Sequence, residues 1–163
     1  MAQKDFIIKN SKIEYEGIFC FEELYKHLKT WFTRRGYIMQ EIGYKEVKED
    51  TKNIKISVDA MKEVSDYVRF LVELSIKLDN LKDVKKKGDK KIWHQGKLTI
   101  SFNAITIKDF ENQWSKSGFT IFLREAYDKF VIGSKLSKFE KDLSEDVYKF
   151  TNEIKSFLKL LKL

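Results

Sequence analysis

The sequence predicts an α+β fold: a curled antiparallel meander sheet of four to five long strands, packed against an N-terminal helix and a long C-terminal helix. Three observations carry this expectation. Between Asp66 and Ile107, two long stretches alternate apolar with polar residues across a lysine-rich turn, which is the pattern of one extended hairpin. From Leu136 to Leu161 apolar residues recur every third or fourth position, the period of a helix with one buried stripe. Strand-like and helix-like segments are segregated along the chain instead of interleaved, which favours α+β over a parallel α/β sheet.

The long hairpin comes first because the rest packs on it. In its first arm Val68, Phe70, Val72, Leu74, Ile76 and Leu78 alternate with a face that carries Arg69, Glu73, Lys77 and Asp79. In the second, Leu98, Ile100, Phe102 and Ala104 alternate with Lys97, Thr99, Ser101 and Asn103, and Gly96 is expected to mark a bulge or bend. Both arms exceed the usual strand of about 5–6 residues. A sheet this long exposes a wide apolar face unless it twists and curls around a partner.

Upstream, Phe6 to Lys9 and Lys12 to Glu16 read as two short strand pieces whose apolar parity changes across Asn10 and Ser11, so a bulge or turn is expected between them. Phe21, Leu24, Tyr25, Leu28 and Phe32 then follow helical spacing. Glu22 and Glu23 stand in the first turn, Arg34 and Arg35 at the end, and Gly36 is the stop. A second hairpin follows, with Ile38, Ile42 and Tyr44 expected on one face of its first arm, a polar link from Lys48 to Lys52, and Ile54, Ile56, Val58 and Ala60 in its second. After Ile107 comes a polar stretch containing Trp114. Phe119, Phe122, Leu123, Ala126, Tyr127 and Phe130 then form one helical stripe ending near Gly133. The last helix is expected to run about 26 residues and about 39 Å, with Ser137 and Glu140 as a capping box if it starts there rather than at Ser134. The order helix, antiparallel meander, long C-terminal helix is similar in layout to helix-grip folds, in which a curved sheet wraps a terminal helix. That likeness implies a fold and no activity.

At 163 residues the chain fits a single α+β domain spanning 1–163, and a chain of that length buries roughly two-thirds of its unfolded surface. The single Cys20 excludes an intramolecular disulfide and a cysteine-based zinc cluster. The first residues have no apolar signal region and no run of 18 apolar residues occurs, so the expectation is a cytoplasmic protein without a transmembrane segment. Net charge is +7, which favours an acidic partner, either nucleic acid or an anionic membrane surface.

No phosphate loop, nucleophile elbow or metal-ligand motif occurs, so no cofactor is expected and an enzyme is the lesser reading. His27 lies off the apolar stripe and reads as a solvated surface histidine. His94 shares parity with Leu98 and Ile100 and reads as a histidine at the edge of the core, or as the base of a hydrolase or cyclase-like site. Cys20, just before a helix, is either a buried small hydrophobe or a reactive thiol. Glu22 with Glu23, and Glu145 with Asp146, are expected to serve helix ends and polar faces.

Two binding sites are expected. Trp93, His94, Trp114 and Phe119 are the candidate lining of an apolar pocket between sheet and C-terminal helix, for a hydrophobic small molecule or lipid. Lys85, Lys86, Lys87, Lys90 and Lys91, with Lys82 nearby and only Asp83 and Asp89 against them, are the candidate anion-binding tip. The plainer role for these lysines is to keep a turn solvated and to block edge pairing.

Overall fold

A computed structural model describes residues 3–109, 118–130 and 133–160, and only the backbone of residues 118–121, 124 and 130. The elements are β1 (Gln3–Phe19), α1 (Phe21–Arg34), β2 (Ile38–Lys48), β3 (Lys52–Glu63), β4 (Val68–Val84), β5 (Trp93–Lys108), α2 (Gly118–Phe130) and α3 (Gly133–Leu160). The five strands form one antiparallel sheet in the order β1-β5-β4-β3-β2. The expected α+β layout is therefore present, with five strands and a C-terminal helix of 28 residues.

Several local expectations are corrected. The two N-terminal pieces are one strand of 17 residues. It inserts an extra residue between Phe6 and Ile8 and another between Ile8 and Ser11, and the second, a bulge at the place where one or a turn was expected, sets Ile8 and Ile13 on one face despite their opposite parity. Asn10 takes φ +51°, and its N–H donates to Asn103 Oδ1 at 2.8 Å. In the long hairpin a bulge lies where Gly96 was expected to mark it, with the extra residue in the facing strand β4, between Asp79 and Lys82. Asn80 takes φ +55° there, while Gly96 makes room: a Cβ on it would meet the Asp79 carbonyl at 2.8 Å. Ile38, Ile42 and Tyr44 are exposed instead of forming a buried face. β2 is an edge strand, and a register shift between Glu41 and Gly43 breaks the alternation that would have aligned them. Phe122 and Leu123 of the expected α2 stripe are also exposed, and Ser137 donates back to the Gly133 carbonyl at 3.2 Å instead of capping α3.

One face of the sheet carries the main core. Leu143, Val147, Phe150, Ile154 and Leu158 of α3 are buried against it, together with Leu24, Leu28, Trp31 and Phe32 of α1. Phe150 is the hub. Its ring centroid lies 4.9 Å from that of Phe32, 5.3 Å from that of Trp31 and 5.7 Å from that of Phe102, spacings at which aromatic pairs attract beyond the area they bury. Tyr37 enters the same cluster and donates its hydroxyl to Asp146 at 3.0 Å. Burial, then the Asp146 charge, pushes that phenol far up from its ordinary value. Gly36, at φ +84°, ends α1 where the sequence placed the stop.

Candidate functional site

The loop between β4 and β5 is organised by one carboxylate. Asp89 accepts the Lys91 backbone N–H at 2.9 Å on one oxygen and the Trp93 indole N–H at 2.8 Å on the other. The Lys91 N–H, then the indole, holds this carboxyl below the usual aspartate range. Lys86 Nζ sits 3.6 Å from the Trp93 ring centroid, a cation–π contact that covers the indole. Lys91 Nζ pairs with Glu23 in the first turn of α1, so the loop is fastened to the helix. The other acid of the loop region, Asp83, faces His94 Nδ1 at 3.1 Å.

Both acids are thus engaged in holding structure. Lys82, Lys85, Lys87 and Lys90 have no carboxylate within ion-pair distance among the described residues. Of the lysines expected to bind anions, Lys85, Lys87 and Lys90 are free at the tip, whereas Lys86 and Lys91 are partly committed to Trp93 and Glu23.

Of the residues expected to line an apolar pocket, Trp93 and His94 are not brought together. Trp93 and His94 are consecutive in β5, so their side chains leave opposite faces of the sheet. Trp93 is nearly buried beneath Lys86. His94 turns towards α1, with its ring centroid 6.2 Å from that of Phe19, and lines an open hollow of about 420 Å³ with Phe21, Tyr25 and Ile92. Trp114 lies outside the described residues. Phe119 belongs to α2, and its side chain lies outside them as well.

A larger cleft, about 650 Å³ and open to the surface, lies between α1 and α3. The sequence reading did not find it. Lys26, His27, Trp31 and Arg34 of α1, with Arg35 at its C-cap, line it opposite Glu153 and Phe157 of α3. His27 is therefore not a freely solvated side chain: it stacks on Phe157 with centroids 4.8 Å apart, and its Nε2 lies 3.2 Å from Glu153 Oε1. That nitrogen is buried and, despite the short distance, lacks hydrogen-bond alignment. The Arg35 guanidinium lies 4.2 Å over the Trp31 ring. A signal for this wall was available, because Trp31 follows Leu28 by three residues and so continues the apolar stripe of α1.

Elsewhere, Cys20 is buried, and burial raises its thiol pKa, which suits a small hydrophobe better than a nucleophile. Among the described residues no three His, Cys, Asp or Glu side chains are grouped to hold a metal ion, and no helix is long and apolar enough to cross a membrane. Compared with protein-family models, with curated proteins and with solved structures, the chain matches none.

Proposed function

We propose that the protein is a binding module for polyanions, which it engages through the tip of the β4–β5 hairpin. The observation that carries this is the unequal use of charge in the loop. Asp83 faces His94 and Asp89 accepts from Lys91 and Trp93, whereas Lys82, Lys85, Lys87 and Lys90 have no carboxylate partner among the described residues. Lysines in that state can neutralise the charges of a phosphate- or sulfate-rich polymer and release the counterions condensed on it. The test is retention on heparin. Replacing Lys82, Lys85, Lys87 and Lys90 by Gln should move elution to markedly lower salt and leave the melting temperature unchanged, because the side chains are exposed. Unchanged elution, or a native protein that is not retained at all, removes the proposal.

A second reading, an apolar small molecule, rests on an open hollow of about 480 Å³ where Val64 and Tyr67 meet Tyr127 of α2 and Phe139 of α3. Its size suits such a ligand. Saturable binding of a hydrophobic dye to the folded protein, lost in Phe139→Ser with melting preserved, is its signature.

A further inference from the structure

We infer that the cleft between α1 and α3 continues the lysine tip, so that the polyanion is a flexible single strand of nucleic acid lying along α1. The inference rests on the tip reading and adds a second contact and a partner class.

The two places adjoin. Glu23 lines the cleft and is also the partner of Lys91 at the tip, and Lys26 lines both the cleft and the hollow beside Ile92. From Glu23 to Arg34 the helix advances about 16 Å at 1.5 Å per residue, which places the arginines at the far end of a track that begins at the hairpin. Two acids on the way are paired, Glu22 with Lys26 at 3.0 Å and Glu23 with Lys91, and Glu153 stands beside His27. Arg34 and Arg35 have no carboxylate partner among the described residues. The Arg35 guanidinium sits over the Trp31 ring. Planar groups also floor the cleft, where the His27 ring is tilted only 17° from Phe157.

Shape decides between partners. A bilayer surface is flat and a duplex is stiff over its persistence length of about 50 nm, so either can touch a projecting hairpin without entering a recess between two helices. A single strand can bend into a recess of about 650 Å³, set phosphates on the arginines and offer bases to the aromatic floor. Basic residues at a helix C-terminus also satisfy the helix dipole, so the test must read salt dependence and not stability.

A labelled oligothymidylate, a short duplex and phosphatidylserine-containing vesicles are titrated against the full chain over a range of salt. Arg34→Gln, whose side chain is exposed, should flatten the slope of log affinity against log salt for the single strand by about 0.7, and the pair with Arg35→Gln by about 1.4. Neither change should alter duplex or vesicle binding, while the tip substitutions weaken all three. The inference is overturned if Arg34→Gln, melting normally, leaves the strand's slope unchanged, or if the arginine changes weaken duplex or vesicles equally. Binding to vesicles with none to the strand also overturns it and leaves the tip reading standing. Failure of every polyanion to bind removes the tip reading, and this inference with it.

Discussion

Among the described residues, two of the three hairpin turns of the sheet lie at the same end of the molecule and are built differently. The β2–β3 reversal uses residues 49–51, closed by the Glu49 N–H donating to the Thr51 carbonyl at 3.2 Å, and Lys52 pairs with Glu46 at 3.3 Å. Its lysines Lys48 and Lys52 are balanced by Glu49 and Asp50. The β4–β5 reversal spans residues 85–92, carries the uncompensated lysines and is held by Asp89. Reversing an antiparallel pair needs only a few residues, as the first hairpin demonstrates. The longer loop therefore has a geometry and a charge that chain reversal does not explain, and its own acids keep it ordered instead of neutral.

Four experiments break or sharpen that comparison, from the largest effect to the smallest. Ile154→Asp puts a carboxylate into the core on which both hairpins rest, at a fully buried position. It should cost several kcal/mol against a typical total of about 5–15 and abolish cooperative melting, erasing the difference between the turns along with the fold. Gly96→Ala acts on the long hairpin alone. The added methyl meets the Asp79 carbonyl, and denaturant titration should show a loss of about 1–3 kcal/mol.

The third experiment uses pH. Asp89 is depressed in the folded loop, so its contribution to loop order is complete above the ordinary aspartate pKa of about 3.9 and is lost as pH falls through the lower folded value. Emission from Trp93, isolated by Trp31→Phe and Trp114→Phe, should therefore change below about pH 4, and Asp89→Asn should show the acid spectrum already at neutral pH. An Asn variant that titrates like the parent disproves the clamp. Last, Glu49→Lys with Asp50→Lys gives the short turn a similar excess of charge. Stability should move by no more than about 0.5 kcal/mol, and heparin retention should rise by less than the tip substitutions lower it.

Local periodicity made most of the fold legible. The alternation in β3, β4 and β5 and the three-to-four spacing in α3 report which face is buried, and the described residues of those stripes are buried or packed against the core, while Leu161 lies outside the described residues. The lysine excess was equally visible, because it is a property of one short stretch. What required distant segments was not. No local signal states that β1 lies beside β5, and the α1–α3 cleft joins residues near 30 with residues near 155. Trp93 and His94 were grouped because they are neighbours in sequence, which in a strand is the arrangement that separates them. Ile38, Ile42 and Tyr44 looked like a core face because a single shifted residue reverses parity without altering composition.

The placement of β1 also sets the order in which the molecule can be made. Gln3 pairs with Lys108 and Phe19 with His94, so the earliest of the described strands to be synthesised docks on the latest of them. At ribosomal speeds of about 5–20 residues per second, on the order of 100 residues separate the two events by some 5–20 s. During that interval β2, β3 and β4 can pair with their sequence neighbours, whereas β1 has no edge to join. Its long-range closure is the kind of contact that slows folding to the millisecond-to-second range, and until it closes the inner strand β5 presents an open edge on which a second nascent chain could pair.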